Sequence, residues 1–284
     1  MFRRAAPSLN LSADYIKGVP DAKPMPLWIK PDKKLSVRDV MELMRDHFEG
    51  TDLDMTKDVG AGAFVLPYRW RPLTWKIGKD DYFNERAVST QQTGYSFVTQ
   101  SRSWLPGPIG GVIWFGVDDT YSTVYIPMYS AMKRVPKNFA VGVANLYEFS
   151  WDSAFWVFNF VSNFSYLRYS DMIKDIQVVQ RELEGKFHAD QPEIEKAALE
   201  FYKQAPELAR NYLTEYSVSQ ADMVVERWRK LGESLLVKYM DGNVKDSQKH
   251  VLHPPYPESW YKRIIKETGD KFKVKRLPGE KKPE

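Results

Sequence analysis

Cysteine is absent from all 284 positions of this sequence. Disulfide bonds, thiolate metal sites and a cysteine nucleophile are therefore excluded within the chain. Histidine is also scarce, with four residues. His250 and His253 lie together in HVLHPP, but the pair lacks the third ligand and the helical frame of a zinc site. The sequence therefore predicts no metal and no cofactor.

Long apolar runs are missing as well. The longest candidate, 155–164, is interrupted by three polar residues and is shorter than the roughly 18 residues that a membrane helix needs. Near the start of the chain, Arg3 and Arg4 are followed by Pro7 and polar residues where a signal peptide would carry its apolar stretch. We therefore expect no membrane partner and no export signal in this chain, and the compartment stays open.

A strong charge of one sign is the third missing feature, because the net charge is only +4. Much of this charge lies in a basic tail at 271–284. The tail contains Lys271, Lys273, Lys275, Arg276, Lys281 and Lys282. A short basic segment that also contains proline is typical of a solvated tail rather than of a nucleic-acid interface. We therefore expect no nucleic-acid partner.

The chain does contain a proline-rich opening followed by a clear helix start. Residues 1–33 hold five prolines and little periodicity, which predicts an extended arm. Ser36, with Asp39 three positions later, has the pattern of a helix N-terminus. Apolar residues then recur at helical spacing up to Gly50, where the helix is expected to end. Residues 51–84 are rich in loop-forming residues and include a short strand at Thr74–Ile77.

The rest of the chain divides into strands and then helices. Alternating residues and turn signals predict strands near 87–93, 95–102, 111–117, 122–129 and 140–147. Helical spacing predicts helices at 151–166, 169–187, 192–203, 206–215, 218–240 and 257–268. In 218–240, one apolar stripe contains Val224, Trp228, Leu231 and Leu235.

This order predicts an α+β fold in which an antiparallel sheet packs with helices. We expect three regions: 1–150 with the arm, one helix and the sheet, 151–270 with the helices that pack on the sheet, and the basic tail. About five strands would need cover on two faces, and only one helix precedes them. The chain therefore supplies fewer covering elements than a complete sheet requires.

Several long phrases carry a resemblance to a known family. They are PMPLWIKPDKKLSVRDVMELMRDHFEG, DVGAGAFVLPYRWRPLTWK, STQQTGYSFV, RSWLPGPIGGVIWFGVDD and FSWDSAFWVFNFVSN. Over roughly residues 1–270, the chain resembles the C-terminal half of the bacterial cysteine dipeptidases of the N-terminal-nucleophile hydrolase superfamily. The resemblance implies part of an αββα sandwich. It also implies hydrolysis of a dipeptide amide bond by a cysteine at the mature N-terminus, whose own α-amine acts as the base.

The chain departs from that pattern because it starts Met1-Phe2-Arg3 and has no cysteine. We therefore expect that the half bearing the nucleophile is absent from this chain and that the isolated chain is inactive. The expected partners are a dipeptide or short peptide, together with a separate N-terminal half or a second copy. Two alternatives stay open. The chain could be a pseudo-enzyme that binds peptides without cutting them, or a truncated chain with only a structural role.

Arg102 is the strongest candidate for an active-site residue. It lies at the end of a predicted strand and is flanked by Gln100, Ser101 and Ser103. A guanidinium group in this position can form two parallel hydrogen bonds with a substrate carboxylate or stabilise a developing oxyanion. The alternative is a structural arginine that pairs with an acidic side chain, because a buried arginine needs a partner in either case.

Four further residues are candidates for substrate binding. Gln91 and Gln92 can donate amide hydrogens to a substrate, although adjacent strand residues point to opposite faces and at least one of them is expected to face solvent. Asp118 and Asp119 can hold the free amine of a dipeptide. The alternative for this pair is that the two aspartates build the turn after a strand.

Overall fold

The computed structural model describes residues 1–275. The chain forms two compact units, Met1–Leu236 and Val237–Glu284. The first unit begins with a short helix α1 (Phe2–Ala5) and, after the proline-rich segment, continues into helix α2 (Val37–Met44). The predicted start of α2 is confirmed, because Ser36 accepts a hydrogen bond from the backbone N–H of Asp39 and the Asp39 carboxylate accepts one from the backbone of Ser36.

Two antiparallel sheets follow in this unit. Strands β1 (Thr74–Ile77) and β2 (Asp80–Phe83) form an exposed hairpin. Strands β3 (Tyr95–Ser101), β4 (Gly111–Val117) and β5 (Ile126–Tyr129) form a sheet in the order β3-β4-β5. The short helix α3 (Gly107–Gly110) connects β3 to β4.

The two faces of the three-stranded sheet have different environments. Side chains alternate along β3 and β4, so that Val98 and Trp114 are buried on the inner face, whereas Tyr95, Phe97 and Ile113 on the outer face are exposed. Val98 pairs with Trp114 across the two strands. The inner face is therefore part of the core, and the outer face is apolar without being covered.

Three helices follow the sheet: α4 (Ala154–Ser165), α5 (Tyr169–Gln204) and α6 (Pro206–Tyr239). The buried stripe of α5 consists of Tyr169, Met172, Ile173, Ile176, Val179, Leu183 and Phe187. The predicted stripe of α6 is confirmed, since Val224, Trp228, Leu231 and Leu235 are all buried. Trp228 stacks on Phe158 of α4 with ring centroids 4.9 Å apart.

The close approach of α6 to α4 depends on Gly232. A Cβ atom at this position would lie 2.9 Å from the ring of Phe160 and 3.1 Å from the side chain of Val161. Both distances are shorter than ordinary carbon–carbon contacts. A side chain at position 232 would therefore have to displace the Phe160 ring.

The predicted α+β fold with an antiparallel sheet and a helical region is confirmed, but several element bounds were wrong. Helices predicted at 169–187 and 192–203 are one helix that continues through Pro192. Proline inside a helix costs about 3 kcal/mol, yet Phe187 and Ala198 on either side are fully buried. Their packing outweighs the local preference for a break. In the same way, 206–215 and 218–240 form one helix, and α2 ends at Met44 rather than at Gly50.

Two predicted strands are also wrong. Segment 87–93 is irregular. Its neighbouring residues Ser89 and Thr90 are both buried, and the backbone N–H of Ser89 donates to the carbonyl of Asp46. Segment 140–147 forms a loop in which Val141 and Tyr147 are exposed and Gly142 has a φ of 90°. Neither segment finds a neighbouring strand with which its backbone could pair, so the main sheet has three strands instead of about five.

The second unit is small. It contains the end of α6, the hairpin of β6 (Val244–Lys245) and β7 (Val251–Leu252), and helix α7 (Glu258–Thr268). The described part of the predicted basic tail, Lys271–Lys275, is exposed. Arg276, Lys281 and Lys282 of that tail lie outside the described residues. The predicted division at residue 150 stays a prediction.

Candidate functional site

The turn after β4 brings together more buried polar side chains than any other strand end described here. Asp118 adopts a left-handed conformation with φ of 65°, and its backbone N–H donates to the carbonyl of Gly94 at 2.9 Å. Both Asp118 and its neighbour Asp119 are 1% exposed. A left-handed aspartate in a tight turn matches the turn-building alternative. Because both carboxyl groups are buried, each also needs hydrogen-bond donors from within the protein.

Asp118 finds its donors on α4. Asn159 donates from Nδ2 to Oδ1 at 2.7 Å, and Ser162 donates from Oγ to Oδ2 at 2.5 Å. Burial raises the pKa of Asp118 to about 7, although these two hydrogen bonds oppose the rise. The Asp118 carboxyl therefore holds a proton more tightly than an exposed aspartate does, and its hydrogen bonds join the turn to α4.

Asp119 is surrounded by hydroxyl groups from separate segments. The Tyr68 hydroxyl lies 2.7 Å from both carboxylate oxygens, Tyr166 donates at 3.1 Å and Ser89 donates at 3.3 Å. Burial raises the pKa of Tyr68 well above its ordinary value, and the Asp119 charge adds to the effect. Tyr68 therefore keeps its proton and serves as a hydrogen-bond donor.

His47 extends this network by one step. Its Nε2 atom lies 2.8 Å from the Tyr68 hydroxyl oxygen. Because Tyr68 uses its single proton to donate to Asp119, its oxygen can only accept from His47. The geometry thus assigns the proton of His47 to Nε2. The resulting chain runs from His47 through Tyr68 to Asp119, and all three side chains are buried.

An apolar groove lies next to this turn, on the outer face of the sheet. It has a volume of about 410 Å³ and is lined by Val117, which precedes the turn, and by Gly94, whose carbonyl accepts from Asp118. Its other walls are the loop 138–146 and the start of α4, with Tyr95 and Phe115 stacked at 5.8 Å along the floor. A volume of this size is in the range of small-molecule sites, so the groove can accept a small ligand or an apolar side chain of a partner.

Arg102 lies at the other end of β4 and is paired inside the protein. Its Nη1 atom is 2.5 Å from both carboxylate oxygens of Glu195, and Nη2 donates to the carbonyl of Ile109 at 3.0 Å. Glu195 also accepts from Tyr129 at 3.0 Å. The Arg102 side chain is 9% exposed. This geometry matches the structural alternative, and a role of Arg102 in catalysis stays a prediction.

Gln91 and Gln92 lie in the irregular segment before β3. Gln91 donates from Nε2 to the carbonyl of Arg69 at 2.7 Å and accepts from the Thr90 hydroxyl at 2.9 Å. The Oε1 atom of Gln92 is buried without a partner among the described residues. Gln91 therefore contributes to local structure next to Tyr68, and the binding of substrate by either glutamine stays a prediction.

The predicted site residues do not all converge. Ser101, which precedes Arg102, pairs with Gly111 at the start of β4, whereas Asp118 follows Val117 at its end. At a rise of about 3.3 Å per residue, the two ends of β4 are roughly 20 Å apart. Asp118, Asp119 and the segment of Gln91 belong to one end, and Arg102 belongs to the other.

No set of three or more histidine, aspartate or glutamate side chains within residues 1–275 is arranged to hold a metal ion. His250 and His253 are both in the second unit, where their Nδ1 atoms contact Asp246 and Asn243 at 3.0 and 2.8 Å. Within the same residues, no helix is long and apolar enough to cross a membrane.

Sequence reasoning missed the partners that define both ends of β4. His47, Tyr68 and Tyr166 form the surroundings of Asp119, and Glu195 neutralises Arg102. The phrases RDHFEG and PYRWRP contain the first two of these residues. The aromatic and titratable residues in these two phrases indicated possible site residues. The neighbouring sequence does not indicate which acidic side chain they contact.

Comparison with known proteins places this site in a family. Residues 4–182 match the model of peptidase family C69. The chain is also similar to a protein named probable dipeptidase B from Streptococcus pyogenes serotype M1, with 21% identity over 214 residues, which is 75% of this chain and 41% of that protein. The chain thus spans about two fifths of the length of this curated relative. The matched residues 4–182 include both ends of β4 and the groove.

Proposed function

This chain belongs to peptidase family C69, and we propose that it forms the substrate-groove portion of a dipeptidase whose attacking cysteine lies on polypeptide outside these 284 residues. The family resemblance supplies the expectation of a cysteine nucleophile and of a dipeptide substrate. The absence of cysteine from the sequence then requires that the thiol come from elsewhere. By itself, this chain would bind but not hydrolyse.

The observation that carries the proposal is the uncovered outer face of the β3-β4-β5 sheet. Tyr95, Phe97 and Ile113 are exposed there, and the groove of about 410 Å³ opens on the same face. Contiguous exposed apolar surface marks an interaction site more often than a solvent-facing one. A companion segment that packs on Phe97 and Ile113 would cover the face and close one side of the groove.

Buried polar groups next to the groove support the substrate class. The Asp118–Asp119 turn is fixed by donors from α4 and from Tyr68, so the backbone at Gly94 and Val117 is held rigidly at the groove wall. A rigid polar edge beside an apolar floor suits a short peptide, which has polar backbone ends and variable side chains. Gln91 and Gln92 precede Gly94 of this edge by three and two residues, and their contribution to substrate binding is part of the proposal.

A non-catalytic role is the second candidate. The 410 Å³ groove would be sufficient for a peptide-binding module or a structural half that never meets a nucleophile. A second copy of the chain is an alternative occupant of the outer face. The two functions differ in one respect: only the first yields turnover when a cysteine-bearing segment is supplied.

The decisive experiment measures hydrolysis of a dipeptide panel by the purified chain alone and after mixing with the polypeptide encoded upstream of Met1. We expect no turnover from the chain alone and thiol-dependent turnover from the mixture. The Phe97→Asp variant should abolish complementation, whereas Val178→Asp, at an exposed site on α5, should not. Turnover by the isolated chain would contradict the proposal, and saturable binding without turnover in the mixture would favour the binding module.

A further inference from the structure

The second unit differs in charge from the rest of the chain. Between Val237 and Lys275 there are nine lysine and arginine residues against five aspartate and glutamate residues, a net charge of +4. Residues 1–236 contain 29 basic and 30 acidic residues, a net charge of −1. The positive charge of the protein is thus concentrated in a short stretch, where its field can attract an anionic surface.

The same unit exposes apolar side chains that have no core to enter. Between Met240 and Lys275 no described residue is buried. Ile265, Phe272 and Val274 are 61%, 68% and 81% exposed. In water each of these side chains loses the stabilisation that burial would provide. An apolar surface of this kind in a soluble unit points to something that covers it.

Helix α7 carries apolar side chains on one side and basic side chains on the other. Trp260, Tyr261, Ile264 and Ile265 lie at i, i+1, i+4 and i+5 and therefore share one side of the helix, while Lys262 and Lys266 lie on the other. After the helix and the two residues Gly269 and Asp270, the segment Lys271-Phe272-Lys273-Val274-Lys275 alternates basic and apolar residues, all exposed. Basic groups that flank an apolar side are the arrangement of helices that lie in the plane of a membrane interface.

We propose that this surface, defined by Ile265, Lys266 and Lys271–Lys275, binds peripherally to anionic lipid. The apolar side chains would enter the boundary between headgroups and acyl chains, and the lysine ammonium groups would remain among the lipid phosphates. This inference goes beyond the proposed peptidase function and replaces the expectation of a merely solvated tail.

The composition favours lipid over nucleic acid. The nine basic residues of Val237–Lys275 are eight lysines and one arginine. Nucleic-acid interfaces rely on the arginine fork and on aromatic stacking, whereas diffuse attraction to a charged bilayer needs only ammonium groups near the surface. Aliphatic Ile265 and Val274 have no role in base stacking but partition readily into acyl chains.

The test is co-sedimentation of the full chain with vesicles of phosphatidylcholine alone or of phosphatidylcholine and phosphatidylglycerol in equal parts. We expect binding to the second only. Combined Lys266→Glu, Lys271→Glu and Lys275→Glu should lower the partition coefficient at least about 100-fold. Combined Ile265→Ser, Phe272→Ser and Val274→Ser should lower it about 10-fold or more.

A matched control reverses three exposed lysines of the first unit, Lys76, Lys196 and Lys203, whose side chains are 74%, 73% and 68% exposed. It should bind vesicles like the parent chain, and circular dichroism checks that all variants fold. Absence of binding by the parent, or equal loss in the control, would overturn the proposal. So would tighter binding to a DNA duplex that is insensitive to the serine substitutions.

Discussion

The two faces of the β3-β4-β5 sheet are built from the same strands and have opposite relations to solvent. The inner face carries Val98 and Trp114 into the core, and its ends meet the Arg102–Glu195 pair and the buried Asp118. The outer face presents Phe97 and Ile113 to solvent beside the groove. The inner face therefore specifies the fold of this unit, whereas the apolar outer face is free to contact a ligand or a partner.

Truncating the largest inner-face side chain should have the largest effect. Trp114 is fully buried, stacks on His188 at 4.3 Å and donates to Gln100. Trp114→Ala should lower the free energy of unfolding by about 4 kcal/mol, because it leaves a cavity and removes one hydrogen bond to Gln100. Urea denaturation measures the change, and a loss below about 1 kcal/mol would show that the inner face is not the core.

The second largest loss of stability is expected when one partner of the ion pair at the start of β4 is removed. Glu195→Gln leaves the Arg102 guanidinium buried without a neutralising charge, and we expect a loss of about 3 kcal/mol in the free energy of unfolding. The double variant Arg102→Met with Glu195→Leu should recover most of that loss. If the single variant is as stable as the parent while substrate binding is lost, Arg102 acts on substrate rather than on structure.

The carboxyl group at the other end of β4 should give a pH signature. The pKa of Asp118 is raised to about 7 in the folded chain from 3.8, so the folded state binds the proton more tightly than the unfolded state. Its contribution to stability is complete below about pH 4 and is lost as the pH rises through 7.

Relative to the parent chain, Asp118→Asn should therefore gain about 2 kcal/mol between about pH 5.5 and pH 8. Thermal or urea unfolding at several pH values checks this difference. The Asp246→Asn variant in the second unit, where the carboxyl group is partly exposed and its pKa is lowered by hydrogen bonds from His250, provides a control that should not show this gain. A pH-independent difference for Asp118→Asn would contradict the assignment.

Substitutions on the outer face should hardly change the free energy of unfolding. Phe97→Ser removes an exposed ring, and the free energy of unfolding should change by less than about 0.5 kcal/mol. The same variant should bind less of a hydrophobic dye and should lose complementation with the cysteine-bearing segment. A large destabilisation would mean that the outer face is already covered within the folded chain.

Local sequence patterns predicted the elements whose signals are local. The capping residues Ser36 and Asp39, the alternation in β3 and β4 and the stripe at Val224–Leu235 were all correctly placed. Segment 87–93 was wrongly predicted as a strand, because the backbone N–H of Ser89 bonds to Asp46 and not to a neighbouring strand. A helix break was wrongly predicted at Pro192, because packing on both sides outweighs the local preference of proline for ending a helix.

The candidate site was less predictable because its contacts are long-range. Asp118 and Asp119 stood out as a pair, but their side-chain donors come from positions 30 to 51 residues away in the sequence. Arg102 meets Glu195 across 93 residues. No spacing rule links such partners, so the sequence marked the residues and only the fold showed which of them meet.

The glycine at position 232 has a consequence beyond the two helices that it separates. Phe160, the ring against which a new Cβ would press, meets Trp151 edge-to-face with ring centroids 5.2 Å apart. Trp151 contacts Phe149 at 4.7 Å, and Phe149 contacts Trp156 at 5.6 Å. Trp156 forms part of the groove wall. The displacement caused by one added methyl group at position 232 would thus pass along these four aromatic rings to the wall of the groove, so that a residue outside the groove can change its shape.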